Sequence, residues 1–539
     1  MRATLKAVNG MHFPALLVLL AAAAQFDEPF RPQFHFSPRK NWTNDPNGLV
    51  WFDGDYHLFF QYNPFGSVWG HMSWGHAVSR DLIHWRELPV ALPEEDGIMI
   101  FTGSTVVDER NTTGFCTAGK PCMVAVYTGH TPAHDGQPSL HTKNLAFSND
   151  RGRTWTKYLG NPVLNLNRSE FRDPAVFWSS ASARWIMAVS LPDLHQVRFY
   201  GSPDLRTWEH LSDFGPAGTI AGQWECPGIF ELPVDGDTRN TRWVLKIGLN
   251  PGGVQGGSGE QYFIGRFNGK TFINDNPDSL SLWTDYGKDC YCALTFNNLP
   301  ASQAPTMLGW MNNWQYAANV PTEPWRGQMT VPRELTLKTF PEGIRLVQKP
   351  VQAIGQLRGK PVRQIKDLRT RSFEIEAAMD MKGNGEAGWK LTSTDGSYTA
   401  IGYDSARQEV FVDRTHSGLV GFSERFPART TAPLLSAGSS ITFRVLVDRN
   451  SIEVFVADGR IALTNLIFPE SAPAAFNFYS SGNATAGRVT IWPLKSIWRA
   501  RKPRDIHFVQ ADLASTSASD SEISSCREPE RLLFPPAGS

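Results

Sequence analysis

From about Phe34 to Phe340 the chain is a succession of short apolar runs broken by Gly, Pro, Asn and Asp, with no convincing long amphipathic helix. That pattern predicts strands and turns rather than helices. Leu49-Val50-Trp51-Phe52, Asp53-Gly54-Asp55 and Tyr56-His57-Leu58-Phe59-Phe60 read together as a hairpin, because Asp-Gly tolerates the positive φ that tight hairpin turns require. Arg184–Val189 and Arg242–Ile247 read as equivalent second strands further along.

A second phrase recurs. Ser79-Arg80-Asp81-Leu82-Ile83-His84-Trp85 resembles Ser202-Pro203-Asp204-Leu205-Arg206-Thr207-Trp208. A looser copy runs from Ser148 to Trp155, and a fainter one from Phe267 to Phe272. Each copy reads as strand, tight turn, strand, with an aromatic to close. Degenerate β-units spaced roughly 50–70 residues apart predict propeller blades of four strands. The segment holds five of them. Further on, strands are expected at 372–378, 397–403, 409–413, 440–448 and 451–456, which suits a two-sheet sandwich. The predicted fold is all-β: a five-bladed β-propeller over 30–343, a linker with one short strand over 344–370 and a β-sandwich over 371–500. The Ser- and Pro-rich composition of 503–539 predicts a disordered tail.

Composition narrows the function. The 539 residues hold 52 Lys+Arg and 52 Asp+Glu, so the net charge is zero and a nucleic-acid partner is not expected. Arg2 and Lys6 precede an apolar run from Phe13 to Ala24 that ends in four alanines, the pattern of a removable signal peptide over 1–24. The mature chain is therefore expected to be secreted, extracellular or periplasmic, and free of the membrane. The 18 Trp residues suit packing against sugar rings. Six Cys are too few for a disulfide framework. Cys116 and Cys122 flank a short loop and can bridge in an oxidising compartment. Cys290-x-Cys292 reads as buried thiols rather than as zinc ligands. Asn111, Asn167 and Asn483 stand in N-x-S/T sequons. Nothing in the sequence indicates an oligomeric state.

Three acids stand at one phase of the repeat: Asp45-Pro46 before the first hairpin, Asp173-Pro174 before Ala175–Trp178, and Glu225-Cys226-Pro227 before Ile229–Leu232. Equivalent positions in a propeller crowd one mouth of the central channel, so periodicity predicts that these carboxylates share a cavity. Like charges held close split their pKa values into an acid and a base, as retaining glycosidases require. A Ca²⁺ site with oxygen ligands is the alternative reading of the same acids.

These residues sit in strings that carry a family resemblance. Trp42-Thr43-Asn44-Asp45-Pro46-Asn47-Gly48, Phe59–Pro64, Phe101-Thr102-Gly103-Ser104, Phe171-Arg172-Asp173-Pro174, Trp224-Glu225-Cys226-Pro227-Gly228, Asp285–Asp289 and Gly309–Tyr316 stand in that order. The set closely resembles glycoside hydrolase family 32, the invertases, exo-inulinases and levanases, from about Phe34 to Pro493. The resemblance implies a propeller followed by a sandwich, and release of terminal fructose from sucrose or fructans through a covalent fructosyl–enzyme. It implies Asp45 as nucleophile, Glu225 as general acid and then base, and Asp173 as transition-state stabiliser. It places Asn44, Gln61, Trp69, Phe101, Thr102, Arg172, Trp310 and Trp314 around the terminal fructose, with Trp74 nearby. It requires no metal and no cofactor. Thr43 stands where the family usually has Met, Thr102 where it usually has Ser, and Cys290 where an aromatic is common. The sequon Asn41-Trp42-Thr43 is expected to be too buried for a glycan. An exo-acting hydrolase, a fructosyltransferase that differs only in its acceptor, and a fructan-binding protein without turnover all fit the pocket; the presence of all three acids favours the hydrolase.

Overall fold

The structure is a computed structural model that describes residues 26–435 and 440–498. The expected signal peptide and the expected C-terminal tail lie outside the described residues. The described chain is all-β, with four short 3₁₀ turns among its strands.

Five antiparallel meanders follow one another. The first runs Asn41–Phe52, Asp55–Tyr62, Ser73–Ser79, Arg86–Leu92. The second begins at Met99–Asp108, the third at Arg172–Ser179, the fourth at Gln223–Val234 and the fifth at Tyr291–Thr295. The fourth and fifth sheets are joined by a single parallel pair, Val234 with Leu337. Each opening strand packs against the next, and the fifth packs back on the first. The strand Trp325–Arg326 closes the ring by pairing, parallel, with Asn41–Trp42 of the first sheet.

Burial explains why these strands read as continuous apolar runs. Asp55–Tyr62 and Ser73–Ser79 are buried at every position, because each sheet has another sheet on both faces. The fourth strand, Arg86–Leu92, lies at the rim and is mostly exposed or half-buried. Separate apolar clusters fill the gaps between successive sheets. Val50, Phe59 and Trp74 meet Val107 and Met123 between the first and second, and Ile186, Phe199, Leu245 and Ile247 meet between the third and fourth.

The recurring phrase proves to be the turn between third and fourth strands. Asp81 Oδ1 accepts the N–H groups of Ile83 and His84. Asp150 does the same for Arg153 and Thr154, Asp204 for Arg206 and Thr207, and Asn268 for Lys270 and Thr271. A short acceptor that caps its own following backbone is what preserves the phrase.

Residues 373–493 form two five-stranded sheets that enclose one core, with Phe373, Ile375, Trp389, Ile401, Val412, Phe443 and Val454 inside. At the start of the stretch expected as a linker with one short strand, Gly343–Pro350 is a strand paired along its length with Arg333–Phe340. Buried charge links this part to the ring. Arg333 pairs with Asp285 at 2.8 Å and Glu453 at 2.7 Å, and His35 bridges Asp448 and Glu453 at 2.9 and 2.8 Å. Arg414 pairs with Asp289.

Candidate active site

The opening strand of every sheet slips register near its start. In the first, third, fourth and fifth sheets the slip falls between Thr43 and Pro46, Arg172 and Ala175, Glu225 and Gly228, and Tyr291 and Leu294. In the second it falls between Phe101 and Gly103. Such a bulge releases a residue from strict up–down alternation and re-aims its side chain. Five bulges in a ring therefore turn consecutive residues toward one place, above a cavity of about 40 Å³ lined by Gly48, Thr102, Asp173, Cys226 and Leu294.

The acids share this bulge but not one position in it. Counting from the residue before the slip, Glu225 is first, Asp173 second and Asp45 third. The position of Asp173 falls to Cys226 in the fourth sheet and to Cys292 in the fifth, and all three adopt left-handed φ, at 64°, 49° and 46°. Such backbone costs on the order of 1–3 kcal/mol per residue and persists only where its surroundings over-determine it. The expectation of a common phase is corrected in this detail.

Asp45 is buried and asymmetrically held. Its Oδ2 accepts the Thr102 hydroxyl at 2.7 Å, while Oδ1 is buried without a hydrogen-bond partner. Burial raises its pKa to about 6; the Thr102 hydrogen bond opposes the rise and the charge of Glu225 adds to it. Asp173 is also raised, chiefly by burial, with Arg172 opposing and Glu225 and Asp45 both adding. The three carboxylates thus sit within electrostatic reach of one another. Asp173 receives the backbone N–H of Cys226 at 3.0 Å, and its own N–H donates to Thr128.

Arg172 does not hydrogen-bond Asp173. Its Nε donates to Glu225 Oε1 at 3.0 Å, and its other nitrogens donate to Gln223, at 2.6 Å, and to Glu170. The second oxygen of Glu225, Oε2, accepts the Tyr291 hydroxyl. Sequence reasoning missed Tyr291, Gln223 and Glu170. Tyr291 stands two residues beyond the Asp285–Asp289 string, so that proximity was its available signal.

Aromatic residues line the walls. Trp69 is 41% exposed and meets Phe101 edge-on at 6.0 Å. Phe101 stacks on His130 at 4.4 Å. His130 Nδ1 lies 2.9 Å from His141 Nε2, whose Nδ1 receives the N–H of Phe171; that acceptor role makes His141 the donor to His130. Trp42 stacks with Trp314 at 5.8 Å. Trp310 is fully buried behind both, and Trp74 is equally buried with its Nε1–H on the Phe101 carbonyl. Both brace the wall, Trp310 against Trp42 and Trp314 and Trp74 against Phe101. Gln61 is buried with its amide on the Ile100 carbonyl, and Asn44 Oδ1 accepts the Trp42 indole N–H at 2.8 Å.

The cysteines differ from expectation at one site. Cys116–Cys122 is a disulfide, but so is Cys226–Cys292, and among the described residues Cys290 alone is a buried thiol. The sequon at Asn41 has its amide nitrogen on the Pro64 carbonyl at 2.7 Å and is followed by the buried Trp42 and Thr43.

Coupled buried carboxylates beneath an aromatic wall make a site of the glycoside-hydrolase type. The chain matches the Glycosyl hydrolases family 32 N-terminal domain over residues 35–350 and the Glycosyl hydrolases family 32 C terminal over 345–493. It is 43% identical to a levanase from Bacillus subtilis (strain 168), covering 89% of this chain and 72% of that protein. It is 40% identical to an extracellular exo-inulinase from Aspergillus awamori, covering 90% of this chain and 98% of that one. A crystal structure of exo-inulinase from A. awamori superposes with a TM-score of 0.82 at 40% identity, over 88% of this chain and 100% of that one. A β-fructofuranosidase from Schwanniomyces occidentalis, complexed with fructosyl-erythritol, gives 0.78 at 32% identity, over 88% and 99%. The chain belongs to glycosyl hydrolase family 32.

Proposed function

We propose that the protein is a secreted, exo-acting β-fructofuranosidase that releases terminal fructose from inulin- or levan-type fructans and from sucrose, with retention of configuration. The carrying observation is Asp45: one carboxylate oxygen is fixed by Thr102 and the other is unpartnered, beside two further acids. The names of the relatives, levanase and extracellular exo-inulinase, support the substrate class and the secretion. The ring of five sheets is read as a five-bladed β-propeller, and the two paired sheets over 373–493 as a β-sandwich.

In this reading Asp45 Oδ1 attacks the anomeric carbon of the terminal fructosyl unit, and Glu225 gives its proton to the departing glycosidic oxygen. A fructosyl ester on Asp45 results. Glu225, now a carboxylate, takes a proton from water, which displaces Asp45 with a second inversion. Tyr291 and Arg172 both donate to Glu225 and fix the orientation of its carboxyl group for both proton transfers. Asp173 binds the ring hydroxyls and is more strongly engaged as positive charge develops on the ring. Phe101, Trp69 and Trp314 exclude water around the sugar. The chemistry rests on carboxylates alone.

Product chromatography from inulin, levan and sucrose tests the proposal. Free fructose is expected as the first and dominant product from a polymeric fructan. Longer oligosaccharides at high sucrose would assign a transferase, and binding without release from any of the three would assign a fructan-binding protein.

A further inference from the structure

We infer that the Cys226–Cys292 disulfide is a positioning device for the reaction, holding the bulges that carry Glu225 and Tyr291 in register with Asp45 and Asp173. The inference rests on the fructosidase reading above. The bridge joins the residue after Glu225 to the residue after Tyr291, alongside the hydrogen bond between those two side chains. The same cystine reaches the other acids. Cys226 N–H donates to Asp173 Oδ2 at 3.0 Å, and Cys226 Sγ lies 3.8 Å from Asp45 Oδ2. One cross-link therefore touches two carboxylates and directly follows the third.

The backbone gives the bridge its purpose. Cys226 and Cys292 both hold left-handed φ, 49° and 46°, a conformation that L-residues leave when free to do so. Tying each to the other removes that freedom. A second device grips the same two bulges from below. Lys246 Nζ donates to Glu260 at 3.1 Å and to the Cys226 carbonyl at 3.4 Å, while Glu260 accepts the N–H of Ala293, next to Cys292, at 2.6 Å. Both ionic side chains are fully buried. Asp45 and the two sulfurs gather within 4.8 Å, but the sulfurs are bonded to each other and offer no thiolate to a metal. A disulfide that closes a long loop also stabilises the fold, so activity and stability must be read separately.

The test compares Cys226→Ser/Cys292→Ser with Cys116→Ser/Cys122→Ser, which opens the other bridge, and with wild type, using kcat, KM and the pH–rate profile on inulin, and Tm. Fructose release by wild type carries the enzyme reading; the ratio of variant to wild type carries this inference. The active-site variant is expected to lose roughly 10–100-fold in kcat, as small misplacements of reacting groups do, with KM changed only a few-fold. Its acid limb is expected to move to higher pH, because the freed bulge no longer holds the backbone N–H of residue 226 against the Asp173 carboxylate, and that hydrogen bond favours the charged form. The control variant is expected to keep wild-type kcat. Unchanged kcat and pH profile in a folded Cys226→Ser/Cys292→Ser protein would overturn the inference, whatever happens to Tm. Should that variant fail to fold, the folded Cys116→Ser/Cys122→Ser protein is reduced with a phosphine, assayed, and its free thiols counted by mass spectrometry. Activity lost in step with opening of the Cys226–Cys292 bridge and regained on reoxidation supports the inference; full activity with the bridge open overturns it.

Discussion

Asp173 Oδ2 accepts the backbone N–H of Cys226, the residue that follows Glu225, at 3.0 Å. The carboxylate of the third sheet is thereby held by the backbone of the fourth, so the acids form one mechanical and electrostatic unit. Groups coupled in this way titrate as a cluster rather than singly.

Asp45 is expected to cost the fold stability. Its pKa rises from 3.8 unfolded to about 6 folded, so the native state binds the extra proton between those values and stability falls as pH rises through them. The penalty is absent below pH 3.8 and complete above about 6, where it amounts to about 3 kcal/mol. Asp45→Asn should melt higher than wild type at pH 7 and equally at pH 3.5, while kcat falls on the order of 10³-fold or more. Thermal melts at the two pH values, with kcat at pH 7, check both halves.

Tyr291→Phe removes one of the donors to Glu225 and leaves the ring in place. A kcat loss of roughly 10-fold with KM little changed is expected, since the hydroxyl acts on the proton-transfer group. Steady-state kinetics on sucrose decides; a change confined to KM would make Tyr291 a binding residue instead.

His35 should govern alkaline stability. Burial alone would lower its pKa, but hydrogen bonds to Asp448 and Glu453 outweigh burial and raise it to about 9. The stabilisation is complete below the unfolded value of 6.5 and is lost as pH rises through 9, about 3 kcal/mol in all. Tm is expected to decline between pH 6.5 and 9 in wild type and much less in His35→Gln, with no comparable difference at the catalytic cluster. Parallel melts across that range measure it.

Trp69 stands half out of the wall against Phe101. Trp69→Ala is expected to raise KM roughly 10-fold with kcat reduced less, since the lost contact holds the sugar before and during reaction alike. Kinetics on sucrose and inulin side by side will show it.

Much of the architecture is readable from local chemistry. The hairpin at Asp53-Gly54 and the capped turns at Asp81, Asp150, Asp204 and Asn268 stand where their acceptors and glycines put them, and Ser440–Asp448 and Ser451–Val456 match expectation residue for residue. Strands of mixed composition escaped: Glu386–Ser393 carries two charges and a glycine, and Pro473–Ser480 is half-buried at every position except the exposed Asn477. In the site, Asp-Pro marked two bulges, but the bulge lets an acid act from any of three successive positions, so Glu225, Asp173 and Asp45 occupy its first, second and third positions rather than one common phase. Cys226–Cys292 joins residues 66 apart and is set by ring closure, which no local spacing encodes. Asp285 and Asp289, part of the motif set, serve the buried ionic contacts with the second part of the chain instead.

The covalent step is the most direct point of attack. Glu225→Gln is mixed with a fructosyl donor whose leaving group needs no proton, such as β-fructosyl fluoride, then quenched, digested and mapped by mass spectrometry. Without the base for the second step, the peptide containing Asp45 is predicted to carry one fructosyl unit on that carboxylate. Turnover with no adduct, or an adduct on Asp173 or elsewhere, would contradict the assignment.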